Sequence, residues 1–565
     1  MYGKDRQSHL LLGSVKTNIG HLEPVAGMAG IAKILLSLEH QRIPKNLHFH
    51  QANPHISWES LPLKVIDEPT PWPKSGRART AGLSSFGFSG TNAHLIISEY
   101  QQESTDLTNA QNGCHLLNLS AQDESGLKEL AKNYLHLLQS RTLNIADLCY
   151  SASLGRHHWT TRLSIVGKDQ AELIHGLNSY LNEIESQNVI AGEVLTNQPK
   201  IAFLFTGQGS QYWSMGSQLY ESEPIFKEAF DQCDAILNEI SQVSIKEILF
   251  ASPSEQIHET AITQPALFSL AYALCQLWAS WGIKPNFVMG HSVGEYAAAC
   301  VAQAFTLEDG LKLISHRGRL MQSLPGGGGM AAILCTQKVL DPFLQEFKDR
   351  IEIAAFNSPS QILISGDGKA IAVLCEKLSS QQIRSHVLTV SHAFHSYLMD
   401  DISQEFKAIA NTVKYSKPSV TIIPNIYGKE MEGGCATSEY WTKHIRQPVR
   451  FSEGILALEA EGIDAYVEIG PDPILLGIGK QSTSKPAQWL ASLKKSVPEQ
   501  EQLYRSLAHL YVLGANIDWA GVFKYKNSRW ISIPNYPFQR KSYWSTPSSL
   551  SCLLYTSDAA DDSLR

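Results

Sequence analysis

Apolar positions in this chain follow two periods, and the changes between them mark its elements. Residues 201–205 (IAFLF) and 287–289 (FVM) are short unbroken apolar runs bounded by turn residues, the pattern of strands buried on both faces. Between them, Gln264 to Trp281 is apolar and long enough for a buried helix, which Lys284, Pro285 and Asn286 close. Helices are also predicted for Gly27–Leu38, Glu295–Ala302, Leu311–Met321 and Gln502–Trp519. Leu127, Leu130, Tyr134, Leu137 and Leu138 share one helical face, with Ser120 as the expected N-cap. Strand patterns recur at Arg162–Val166, Met330–Leu334, Ile351–Phe356 and Gln361–Ser365. The run from Pro325 to Gly329 reads as a flexible hinge, and residues 101–113 are polar and aperiodic, as a linker is.

A length of 565 residues implies roughly three or four domains. The net charge of −7 and the lack of a basic block give no reason to expect a nucleic-acid partner. Nine cysteines without a C-x-x-C pair indicate neither a zinc site nor a disulfide framework, and suit a reducing, cytoplasmic setting. His157 and His158 are adjacent, but no Cys or carboxylate stands at ligand spacing, so no metal is expected. The apolar stretch from Ala266 to Ile283 is read as a core helix and not a membrane span, and no signal peptide is visible.

Chemistry concentrates at residues 290–295 (GHSVGE). A strand precedes this string and a helix follows it, so Ser292 sits on a sharp turn with its hydroxyl exposed above a sheet edge. Gly290 and Gly294 permit the bend and the close strand–helix approach, and the first amides of the helix are available to an oxyanion. The glycine-punctuated loop at 207–211 (GQGSQ) lacks the Lys-Ser/Thr of a phosphate-binding loop.

Two strings near the N-terminus, VKTNIGH (15–21) and GFSGTNAHLI (87–96), resemble the C-terminal half of a β-ketoacyl synthase, the condensing domain of modular polyketide and fatty acid synthases. The resemblance makes His21 one of two active-site histidines and Lys16 a supporting polar residue. The family's cysteine and first histidine lie upstream of these strings. Residues 1–100 are therefore expected to be a truncated, thiolase-like condensing fragment without condensing activity, exposing surface that a whole domain buries. Residues 114–196 resemble the α/β linker between condensing and acyltransferase domains.

The string FTGQGSQ (205–211) together with GHSVGE resembles acyltransferases of the malonyl-CoA:acyl-carrier-protein type. For residues 200–485 this implies a hydrolase-like parallel-sheet core with an inserted ferredoxin-like subdomain at 330–390, within an overall α/β class. It makes Ser292 the nucleophile and the Gln208 and Val293 amides the oxyanion hole. The malonyl carboxylate falls to Arg317, with Arg319 the alternative, because a planar guanidinium grips a carboxylate through two bonds. VSHAFHS (390–396) supplies the general base, His395, oriented by backbone carbonyls and not by an Asp. His392 and Phe394 fall at selectivity positions. A bulky Phe394 and an apolar Val293 point to malonyl over methylmalonyl, a discrimination of about 1–3 kcal/mol. Residues 486–545 resemble the post-acyltransferase linker, whereas 546–565 resemble nothing in the family and read as a non-native tail.

The expected activity is transfer of malonyl from malonyl-CoA through an acyl-serine to the phosphopantetheine thiol of an acyl carrier protein. No bound cofactor or metal is expected; the partners are coenzyme A thioester, carrier protein and the rest of a synthase module, without nucleic acid or membrane. The competing readings are another acyl-CoA specificity, a thioesterase-like hydrolase carrying an acid behind its histidine, and a non-catalytic module fragment.

Overall fold

In the computed structural model, which describes residues 8–73, 76–87, 90–100, 113–194, 198–388, 390, 392–431 and 434–542, the chain divides into two units, 1–110 and 111–565. The expected tail at 546–565 and all but residue 113 of the 101–113 linker lie outside the described residues. No helix among the described residues is long and apolar enough to cross a membrane.

In the first unit the helix Ala26–Glu39 packs on an antiparallel hairpin, Thr80–Phe86 with Asn92–Ser98. Met28, Leu35, Leu36, Phe86 and Ile96 are each more than half exposed, so this unit carries an apolar face.

The second unit begins with a three-stranded antiparallel sheet, His115–Ala121, Thr161–Gly167 and Val189–Glu193, joined by helices Glu124–Ser140, Ile145–Leu154 and Gln170–Leu181. Ser120 is not the N-cap of the first helix. It ends a strand, and Asp123 caps the helix by accepting from the Gly126 amide at 2.8 Å. Leu116, Leu117 and Leu119 are buried in that strand, and a fully buried strand is indistinguishable by apolar content from a helix start. The expected helical face holds, with Leu127, Leu130, Tyr134 and Leu138 in the core.

Beyond this lies a parallel sheet of five strands in the order Thr421–Ile422, Phe287–Gly290, Ile201–Phe205, Ala465–Ile469, Gln488–Ala491. Its central strand is buried at every position, which is why it reads as an unbroken apolar run. The helix Thr260–Ser280 has 15 buried residues, from Thr260 to Trp278. The apolar stretch that it contains is core.

Between residues 328 and 388 the chain builds a separate sheet. Its order is Ile351–Ser358, Gln361–Asp367, Gly328–Ile333, Ser385–Leu388, all antiparallel, with helices Gln337–Gln345 and Gly368–Ser380 on the connections. This is the βαββαβ ferredoxin-like arrangement. Its fourth strand had no clear period in the sequence. Gly328 and Gly329 belong to its first strand, so the expected hinge shortens to Pro325–Gly327, with Gly327 at φ 107°.

Candidate active site

The strand Phe287–Gly290 meets the helix Gly294–Val301 through a turn in which Ser292 takes φ 50°. A positive φ is uncommon for a residue with a side chain and stores strain. Both flanking glycines are sterically required. A Cβ on Gly290 would stand 2.1 Å from the Glu295 nitrogen, and one on Gly294 would stand 2.3 Å from the Phe205 carbonyl oxygen. The Ser292 amide donates to Asn425 Oδ1 at 2.7 Å.

Ser292 Oγ lies 2.7 Å from His395 Nε2, and His395 Nδ1 lies 2.9 Å from the Gln447 carbonyl oxygen. A carbonyl only accepts, so Nδ1 carries the proton, and Nε2 of the neutral ring presents its lone pair to the serine hydroxyl. Burial holds the His395 pKa well below that of a free histidine, and the neighbouring His444 and Arg317 act in the same direction. The His395 imidazole is therefore neutral at ordinary pH, the form able to accept a proton.

Arg317 projects from the helix Leu307–Gln322 and is 1% exposed. Its Nη2 lies 3.4 Å from Ser292 Oγ and its guanidinium carbon 5.5 Å from the centre of the Tyr296 ring. Its Nε has no hydrogen-bond partner, and among the described residues no carboxylate pairs with it. A buried cation without a counter-charge is suited to an anionic ligand. Arg319, the alternative, instead pairs with Glu405 at the surface, 3.1 Å away.

Val293 opens the helix Gly294–Val301, where main-chain amides precede the first intrahelical bonds. Gln208 approaches from the loop after Ile201–Phe205. Its side chain is held by two residues of the helix Thr260–Ser280: its Nε2 donates to Thr260 Oγ1 at 3.3 Å, and its Oε1 accepts from Gln264 Nε2 at 3.4 Å. Because the Ser292 amide is spent on Asn425, the Val293 and Gln208 amides remain the candidate oxyanion donors. His392 is buried with Nε2 3.0 Å from the Leu324 carbonyl, and Phe394 is 8% exposed with its ring 6.3 Å from that of His392.

Several polar residues of the site were not found in the sequence. Asn425 is fully buried, and its main-chain amide donates to Glu295 Oε2 at 2.9 Å. Tyr440 donates to Glu295 Oε1, and His444 Nε2 lies 3.3 Å from Oε2. Burial pushes the Glu295 carboxyl up to about 8, so at neutral pH it holds a proton. His291 Nε2 lies 2.8 Å from Asn357 Oδ1, a bond from the residue before Ser292 to the ferredoxin-like sheet. Each is a lone polar residue in an apolar context, and only spatial pairing gives it meaning.

His21 and Lys16 belong to the first unit, where both are exposed; His21 Nδ1 accepts from the Glu23 amide at 3.2 Å. His158 is fully engaged, with Nε2 2.8 Å from the Ser153 carbonyl and Nδ1 2.7 Å from the Tyr511 hydroxyl.

Residues 202–517 match the acyl transferase domain family, residues 1–50 the C-terminal domain of β-ketoacyl synthase, and residues 52–161 the ketoacyl-synthetase C-terminal extension. Mycoketide-CoA synthase of Mycobacterium tuberculosis is 35% identical over 548 residues, 96% of this chain and 13% of that protein. Erythronolide synthase EryA2 of Saccharopolyspora erythraea is 31% identical over 97% of this chain and 16% of its own length. The chain thus spans a small part of the curated relatives it matches. Among solved structures, the acyl transferase domain of ZmaA superimposes with a TM-score of 0.69 at 32% identity, covering 75% of this chain and 99% of that one. The acyltransferase domain from the second module of the salinomycin polyketide synthase gives 0.64 at 33%, covering 74% and 98%.

Proposed function

The chain belongs to the acyl transferase domain family of modular polyketide synthases, and on that footing we propose that it loads a malonyl extender unit onto an acyl carrier protein. Ser292 attacks the thioester carbonyl of malonyl-CoA while His395 Nε2 takes its proton. The tetrahedral oxygen is received by the Gln208 and Val293 amides. On collapse His395 returns the proton to the coenzyme A thiolate, leaving a malonyl-serine. The same histidine then deprotonates the phosphopantetheine thiol of the carrier protein, which takes the malonyl group, and His395 passes that proton to the departing Ser292 oxygen.

One observation supports this reading above the others: Arg317, buried and lacking a carboxylate partner among the described residues, stands 3.4 Å from the serine oxygen. An acyl group with a free carboxylate meets that cation; an ordinary fatty acyl group leaves it stranded. The hydrolase alternative expects an acid behind the histidine, and the Gln447 carbonyl occupies that place. Preference for malonyl over methylmalonyl rests on the bulk of Phe394 beside His392. A related domain, that of SpnD, is known in complex with 2-(pent-4-yn-1-yl)malonyl. We assign residues 1–100, which carry His21 and Lys16, to a β-ketoacyl-synthase portion. Residues 114–196 and 486–545 are linkers flanking the acyltransferase at 200–485.

The test is intact-protein mass after brief exposure to malonyl-CoA, methylmalonyl-CoA and acetyl-CoA, with Ser292→Ala as control. A malonyl adduct absent from the variant, and passed on to a carrier protein, is the expected result. Release to water faster than to the carrier would favour a hydrolase, and no adduct with any of the three would overturn the catalytic reading.

A further inference from the structure

Ser292 is held in an unfavourable backbone conformation, and the means of holding it lies outside the residues that touch substrate. The strand Thr421–Ile422 runs parallel to Phe287–Gly290, with Ile422 opposite Val288, and the Ile423 amide still donates to the Val288 carbonyl at 3.0 Å. The ladder stops there. Two residues on, the Asn425 side chain continues it. Asn425 Nδ2 donates to the Gly290 carbonyl at 2.7 Å while Oδ1 accepts from the Ser292 amide at 2.7 Å. In a parallel sheet, a residue of the neighbouring strand makes this pair of bonds, its N–H and C=O reaching the groups on either side of the residue opposite. A side-chain amide here does the work of that missing backbone. Since a carbonyl cannot donate and an N–H cannot accept, the amide has only one orientation.

We propose that Asn425 is a positioning residue for the nucleophile, gripping the main chain on both sides of His291 so that Ser292 keeps φ 50° and aims Oγ at His395. The proposal rests on the reading of Ser292 as nucleophile. Asn425 is fully buried and is itself fixed, because its main-chain amide bonds Glu295 Oε2 at 2.9 Å. Glu295 stands three residues beyond Ser292, in the first turn of the helix that the elbow begins, and Tyr440 secures its other oxygen. The bonds close a ring from Ser292 to Asn425 to Glu295 and back along the chain. Without the grip, the Ser292 amide loses its partner and the turn relaxes towards ordinary φ, carrying Oγ away from the imidazole. Arg317 approaches from another helix and is not held by Asn425, so the loss is expected in the attack rather than in substrate binding.

The discriminating variant is Asn425→Asp. One oxygen still accepts from the Ser292 amide; the other faces the Gly290 carbonyl, where it repels when ionised and donates when protonated. The groups around it are Glu295, Tyr440, His444, His291, His395 and Arg317, all of them also present in the parent. We measure single-turnover acylation by malonyl-CoA and, independently of that substrate, phosphonylation of Ser292 by a fluorophosphonate, from about pH 6 to pH 9. Near pH 6 the variant is expected within about fivefold of the parent, and near pH 9 slower by about 100-fold with both reagents, the scale of a misplaced reacting group. The half-saturating malonyl-CoA concentration is expected to stay within about twofold. A variant as fast as the parent with both reagents across the range, or a loss carried wholly by half-saturation, overturns the proposal. If Asn425→Asp does not fold, Asn425→Thr, whose hydroxyl keeps one of the two bonds, is expected to acylate about tenfold slower at unchanged half-saturation, and parental rates overturn the proposal. Failure of the parent to react at Ser292 with either reagent would count instead against the nucleophile assignment.

Discussion

His395 Nδ1 faces the Gln447 carbonyl oxygen at 2.9 Å, so a neutral main-chain group orients the base. A carbonyl fixes the tautomer but does not stabilise an imidazolium as a carboxylate does, and the histidine stays a weak, easily regenerated base. The sign follows from the lowered pKa. The imidazole is the active form above its pKa, and that pKa lies below 6.5, so acylation should remain flat from about pH 8 down past 6.5 before declining. Single-turnover acylation across that range checks it, and His395→Ala should lose about 100- to 10,000-fold throughout.

Arg317→Ala should lower the malonyl acylation rate constant over half-saturation by about 100-fold, since it removes a buried charge-assisted contact to the acyl carboxylate. Acetyl-CoA, lacking that carboxylate, should gain relative to malonyl-CoA. Competition between the two thioesters, read by adduct mass, measures the shift. Arg319→Ala should leave both rates within about twofold, because its surface pair with Glu405 is remote from the chemistry.

Phe394→Ser should raise methylmalonyl acylation relative to malonyl by about tenfold, the scale of one methyl group in an apolar pocket. Paired rate measurements with the two thioesters decide it. An unchanged ratio would move the selectivity elsewhere in the cleft.

Gly294→Ala should destabilise the second unit by about 3 kcal/mol or more, because its Cβ would come within 2.3 Å of the Phe205 carbonyl oxygen in the central strand. Denaturant unfolding should show the lowered midpoint, and soluble yield should fall with it.

Stability should decline on both sides of neutrality, for opposite reasons. His291, His395 and His444 are buried with lowered pKa values. Below about pH 6.5 the unfolded chain takes up protons that the folded chain resists, so acidification destabilises. Glu295 behaves inversely: its folded pKa of about 8 exceeds the unfolded value of 4.5, so its contribution is full below 4.5 and is lost as pH rises towards 8. Thermal unfolding between about pH 5 and pH 9 should reveal the maximum, and Glu295→Gln should flatten the alkaline side.

What the sequence made legible depended on how far apart the cooperating residues lie. Ser292, Arg317 and His395 each sit in a compact string with its own local signature, and the structure brings all three together. The elbow was legible because strand, glycine-flanked serine and helix are contiguous. Asn425 was not, because it acts on a residue 133 positions away through a parallel pairing that no local pattern encodes. Glu295 lies inside the quoted string, yet its role depends on Tyr440 and His444 from a distant helix. Ser120 reads as a helix cap because a buried strand and a helix entrance share the same apolar content, whereas Asp123 holds the cap.

The antiparallel sheet at 328–388 interrupts the chain between Arg317 and His395, and its first and last strands are neighbours, with Met330 opposite Leu388. The two ends of the insertion therefore leave the acyltransferase body side by side. The segment is thus one continuous insertion with two adjacent joints, tied to the body by bonds from His291 to Asn357 and from Arg446 to Glu352, while the serine elbow and the guanidinium lie outside it.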